Sequence, residues 1–105
     1  MAKNPDLTAE IVTFELAEGV SDAQFVSLSQ QSEAYLRTSA AFLTRTLSKG
    51  SDGRWTDYVL WSDGAAALAF GADFPNQPFA VALMAAIKPG SEKMQHQSVL
   101  WQMSA

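Results

Sequence analysis

Hydrophobic and polar positions alternate early in the chain. In TAEIVTFEL, Thr8 to Leu16, the side chains of Val12, Phe14 and Leu16 fall on one side and Ile11, Thr13 and Glu15 on the other, which predicts a strand with one dry face. After Gly19 the period lengthens. Ser21 and Gln24 have the S-x-x-Q spacing of a capping box, in which each side chain satisfies a free backbone N–H at a helix start. Phe25, Leu28, Ser32, Tyr35 and Leu36 then recur at helical spacing, predicting helix one to about Arg37, with Gln24, Gln30, Gln31 and Glu33 toward water.

A second strand is predicted over Ala41–Ser48 and a third over Arg54–Trp61, joined by KGSDGR, whose glycines and aspartate suit a tight antiparallel reversal. Ser62 or Asp63 can cap the helix that follows, AAALAFGA, which should break near Phe74-Pro75. A second helical piece is expected over Gln77–Ile87, with Pro78 in its first turn, where a missing N–H costs nothing. This piece is apolar on almost every side, so it should be buried all round or close over an apolar ligand, with Gly71 and the proline break letting it move. After KPGSEK a last strand is expected over Met94–Met103.

The order strand, helix, strand, strand, helix, strand with right-handed crossovers gives an α+β, ferredoxin-like βαββαβ architecture: a four-stranded antiparallel sheet with both helices on one face. Residues 1–105 then form a single domain, with 1–7 as a flexible N-terminus. If Trp55, Val59 and Trp61 meet the helices, Thr56, Tyr58 and Leu60, with Ile11, Thr13 and Glu15, are left on an uncovered, half-apolar face. Pairing two sheets face to face would cover it and give a closed homodimer.

Composition narrows the partners. The content is 48% hydrophobic and only 17% charged, below the roughly 25% charge of average soluble domains, which again points to surface covered by a second subunit. A net charge of -4 argues against nucleic acid, whose phosphates require clustered Lys and Arg. No segment reaches the ~20 apolar residues that span a bilayer, so no membrane partner is expected, and MAKNPDLTAE lacks the apolar run of a signal peptide. A cytoplasmic protein is expected. The absence of cysteine excludes disulfides, thiolate nucleophiles and Cys-ligated metals, and His96 is the only histidine, so neither a metal site nor any cofactor is expected.

The strand order, VTFELAEGV before helix one, AAFLTRTLSKGSDGRW as the middle hairpin and above all VLWSDGAAAL resemble the dimeric α+β barrel superfamily, and most the domains related to antibiotic-biosynthesis monooxygenases. The resemblance runs from about Glu10 to Trp101. It implies a homodimer and admits several activities: oxygenation without metal or flavin, haem degradation, isomerisation, or none. Shared fold supports analogy only. In the oxygenases a tryptophan matching Trp61 lines a pocket between sheet and helices. The haem-degrading branch uses an asparagine on strand one and a histidine on helix two. Thr8 to Leu16 holds no Asn, and no His lies between Ser62 and Ile87, which argues against haem degradation.

Weighed residue by residue, Trp61 is either a core anchor or a pocket wall, and Phe14, Phe79 and Leu83 would line the same pocket. Tyr58 would offer a phenol hydroxyl to the ligand. Asp57 shares strand parity with Trp55, Val59 and Trp61. A carboxylate on that face must be paired, hydrogen-bonded or raised in pKa, so it is either a base or the partner of Arg45 across the hairpin. His96 is the natural proton carrier, or else a surface or interface residue. In this sheet order Asp57 and His96 stand two strand spacings apart, about 9 to 10 Å, too far for a direct pair. Glu10, Glu15 and Glu18 are expected in solvent or at the ends of the barrel. The leading expectation is a cofactor-free monooxygenase or isomerase acting on a small aromatic or polyketide-like molecule. The alternative is a non-catalytic small-molecule-binding or structural dimer.

Overall fold

The computed structural model describes residues 6–105. Of the expectation for residues 1–7, positions 1–5 lie outside the described residues, while the Leu7 carbonyl accepts a hydrogen bond from the Val99 N–H at 2.9 Å. Four strands, β1 (Thr8–Phe14), β2 (Phe42–Lys49), β3 (Trp55–Trp61) and β4 (Lys93–Ser98), form one antiparallel sheet in the order β2-β3-β1-β4. The helices α1 (Asp22–Gln30), α2 (Glu33–Leu36), α3 (Gly64–Asp73) and α4 (Ala80–Ala85) supply the other layer, completing the ferredoxin-like α+β architecture.

Local chemistry sets the boundaries. The capping box forms as expected: Ser21 Oγ accepts from the Gln24 N–H at 3.1 Å, and the Ser21 N–H donates to Gln24 Oε1 at 2.8 Å. Asp63 caps α3 by accepting from the Ala65 N–H. In the hairpin, Gly53 has φ +85°, a conformation that costs glycine nothing. A bulge between Phe42 and Thr44 in β2 brings Phe42 opposite Trp61 and leaves Leu43 exposed.

Three boundaries differ from expectation. Helix one does not run unbroken to Arg37, because the buried Ser32 sits between α1 and α2 and its hydroxyl donates to the Ser29 carbonyl, competing with the helical ladder. The last strand stops at Ser98 rather than Met103, since its final pair is Thr8 with Ser98 and β1 goes no further. Leu100, Trp101 and Met103 beyond it are exposed, Trp101 by 78%. The piece expected over Gln77–Ile87 shortens to α4, with Pro78 in the turn before it. Its six residues bury only Ala80 and Leu83, leaving Val81 77% exposed, so it is not buried all round. The break at Pro75 does occur, as a single 3-10 turn over Phe74–Asn76.

The core divides in two. Phe14, Phe25, Trp55, Leu83 and Ala86 pack at one end of the sheet, and Leu36, Val59, Trp61 and Ala67 at the other. Trp61 is 1% exposed, with Phe70 at 5.1 Å and Phe42 at 6.0 Å between ring centroids. Burying a ring of that size contributes at most about 4 to 6 kcal/mol by area. The two clusters are therefore separately well packed.

Candidate functional site

Between the clusters lies a cavity of about 180 Å³, floored by the helix-facing side chains of the sheet and roofed by α3, the 3-10 turn and α4. Its apolar walls come from both clusters, Phe25 and Leu83 on one side, Val59 and Trp61 on the other, with Phe70 and Phe74 above. Strand pairing explains the placement of its polar groups. Arg45, Val59, Glu10 and His96 are successive cross-strand partners, one row running across all four strands on the helix side. The next row is Leu47, Asp57, Val12 and Met94. A charged group thus stands on each side of an apolar centre.

On the β2 side, Arg45 grips Asp57 with two hydrogen bonds, Nε to Oδ1 at 3.0 Å and Nη2 to Oδ2 at 2.8 Å. Its Nη1 also donates to Ser32 Oγ at 2.6 Å, tying the sheet to the junction of α1 and α2. Both groups are mostly buried, with side-chain exposures of 16% and 17%. The Arg45 pairing weighed from the hairpin is present, and both oxygens of Asp57 are committed to it.

On the β4 side stands a residue expected in solvent or at a barrel end. Glu10 is buried, 8% exposed, and lines the cavity. Its Oε1 accepts from the Trp61 indole N–H at 3.4 Å, and its Oε2 lies 3.0 Å from His96 Nε2. α3 passes directly above: a Cβ added at Gly71 would stand 3.3 Å from Glu10 Oε2. Glu10 shares strand parity with Val12 and Phe14, and that signal could have found it. His96, partly exposed, faces Glu10 and not Asp57, so the separation expected for Asp57 and His96 holds in the sheet order.

The remaining candidates are scattered. Trp61 and Leu83 line the cavity. Phe14 packs between Phe25 and Trp55, with ring centroids 5.1 and 6.3 Å away. Phe79 packs on Phe74 and Tyr35. Tyr58 alternates onto the opposite face of the sheet and is 38% exposed there. Near the roof, Tyr35 donates to Asp73 Oδ2 at 2.8 Å, and Gln77 Nε2 donates to the same oxygen. Burial first, then the hydrogen bond to Asp73 and its charge, push the Tyr35 phenol up to about 12. Among the described residues no three His, Cys, Asp or Glu side chains gather as a metal-binding group.

A four-stranded antiparallel sheet in this order under a layer of short helices is the fold of solved cofactor-independent oxygenases and putative antibiotic biosynthesis monooxygenases, and the chain has that fold. Among solved structures it is similar to a variant of SnoaB, a cofactor-independent oxygenase from Streptomyces nogalater, with 19% identity, TM-score 0.76 and coverage of 95% of this chain and 99% of that one. It is also similar to the monooxygenase ActVA-Orf6 of Streptomyces coelicolor in complex with nanaomycin D, with 20% identity, TM-score 0.68 and coverage of 98% and 96%. NE2512 of Nitrosomonas europaea, a protein of unknown function, aligns with 14% identity, TM-score 0.67 and coverage of 98% of each chain. No family model and no curated protein sequence matches the chain.

Proposed function

We propose that this chain is a homodimeric, cytoplasmic protein that takes up a small aromatic molecule beside Trp61 and oxygenates it without a cofactor. The carrying observation is the cavity itself, with an aromatic wall and buried polar groups beside it. Its volume of about 180 Å³ is close to the ~150 Å³ of an engineered cavity that admits benzene. That favours a single ring over a polycyclic, polyketide-sized ligand. In such an oxygenation the substrate supplies all the electrons: one oxygen atom of O₂ is incorporated and the other leaves as water. Trp61 would hold the ring, and His96 would carry the proton released. Asp57, with both oxygens on Arg45, is assigned the structural side of its two expected roles, closing one wall.

The similarity to a cofactor-independent oxygenase and to a ligand-bound monooxygenase supports the reading. A second reading, binding without turnover, is favoured by the commitment of Asp57 to Arg45, which removes one candidate base. Oxygen consumption with a panel of hydroquinones separates the two. Turnover that falls in Trp61→Phe and His96→Ala supports oxygenation; turnover indifferent to both removes the assigned roles, and binding without oxygen uptake leaves the second reading.

The homodimer is supported by uncovered apolar surface: Tyr58 on the open face of the sheet, and Leu100, Trp101 and Met103 beyond β4. Light scattering should give twice the 11.3 kDa chain mass. A monomer at micromolar concentration would contradict it.

A further inference from the structure

We infer that Glu10 sets the ligand class of the cavity: it accepts a hydrogen bond from a donor on the ring, such as a phenolic hydroxyl, and the site turns away ring carboxylates and other anions. The inference rests on the cavity being a ligand site, as proposed above, and adds the chemistry that the ligand must carry.

The accounting starts from lone pairs. An ionised carboxylate offers about four acceptor positions, and burial makes any left empty costly. Glu10 uses one toward Trp61 through a long 3.4 Å bond and one toward His96 at 3.0 Å, while its carboxylate borders the cavity. Acceptor capacity therefore remains where a ligand would sit. Val59, Leu83, Phe70 and Phe74 in the surrounding wall carry no donor, and the donors that line the cavity, Arg45 and Trp61, are already bonded to Asp57 and Ser32 and to Glu10.

Charge decides which ligand fits. The charged side chains among the described cavity-lining residues are Glu10, Arg45, Asp57 and Glu92. Arg45 and Asp57 neutralise each other through their two bonds. Glu10 has only the imidazole of His96 and the indole of Trp61, and Glu92 makes no ion pair among those found. The lining is thus net acidic, with its single cation already engaged. A carboxylate brought in would meet Glu10 in a desolvated setting with no free counter-charge. A neutral ring bearing O–H or N–H would instead complete an acceptor that is already in place.

Four single-ring probes on the full chain test this: toluene, phenol, aniline and benzoate, with binding read by calorimetry and by the shift of the Trp61 indole N–H resonance. Wild type should bind phenol about tenfold or more tightly than toluene, the difference a hydrogen bond to a charged acceptor makes. Aniline should also exceed toluene, and benzoate should not bind. Glu10→Gln, nearly isosteric, should lose most of the preference for phenol and begin to admit benzoate. If toluene matches phenol, or benzoate binds wild type, the inference is overturned while the cavity stands as a ligand site. If no probe enters, the proposed function and the inference fall together. Should Glu10→Gln not fold, the ranking of the four probes on wild type still decides.

Discussion

Asp57→Ala leaves the Arg45 guanidinium in the wall of the cavity without its carboxylate. At an effective dielectric near 20, two charges about 4 Å apart attract by about 4 kcal/mol, much of it offset by desolvation in the intact pair. Breaking one side of a fully buried pair costs about 3 to 5 kcal/mol. Here about a sixth of each side chain remains exposed, so water screens part of the loss, and about 2 to 3 kcal/mol is expected. Ser32→Ala should add to this, since Ser32 Oγ holds the third guanidinium contact at 2.6 Å. With a urea slope of about 1 to 1.5 kcal/mol/M, the midpoint of Asp57→Ala should fall by roughly 2 M, at one fixed protein concentration because association would shift it. The double variant Arg45→Met, Asp57→Leu replaces the pair with apolar groups of similar volume and should return to within about 1 kcal/mol of wild type. The reasoning fails if Arg45→Met and Asp57→Leu made singly each cost under about 0.5 kcal/mol and the double equals their sum, for then the two bonds carry no coupling.

Tyr35 should titrate late, as a phenolate absorbance step near pH 12 that disappears in Tyr35→Phe and moves down in Asp73→Asn. Because the folded value lies above the ordinary 10.0, the stabilisation from this group is complete below pH 10 and is lost as pH rises through 12. A late step that survives Tyr35→Phe would contradict the assignment. Gly71→Ala gains about 1 kcal/mol of helix propensity and meets Glu10 Oε2 at 3.3 Å, so its melting temperature should stay near wild type. Gly71→Leu must displace the carboxylate and should cost about 1 to 3 kcal/mol, with phenol binding lost; unchanged stability and binding would show that α3 does not bear on Glu10.

Alternation in TAEIVTF and WTDYVLW was enough to assign β1 and β3 and the faces of Phe14, Trp55 and Trp61, and strand adjacency was enough to bring Asp57 near Arg45. The capping residues Ser21 and Gln24 announced α1 for the same reason: their chemistry is local. Glu10 was hidden because carboxylates usually remain in water. Its burial depends on contacts made at a distance, with His96, 86 residues away, and with Gly71 in α3. His96 could not be paired from sequence, since its partner follows from the register of β4 on β1, and the pattern placed β4's end five residues late. The helix-two region misled in another way: uniform apolarity from Phe79 to Ile87 reads as burial, yet a six-residue helix covers only one stripe of itself.

The cavity has a floor and a roof of different kinds. Every ionisable contact at its centre, Arg45 with Asp57 and Glu10 with His96, is anchored on the sheet, whereas Phe70, Phe74 and Met84 above belong to α3, the 3-10 turn and α4. Charge is therefore set by the sheet, while the aromatic roof contributes bulk, the two layers meeting where Gly71 stands over Glu10. Trimming Phe70 or Phe74 overhead enlarges the chamber without removing a charge, and an isosteric exchange such as Glu10→Gln below changes what the chamber recognises with little change in its capacity.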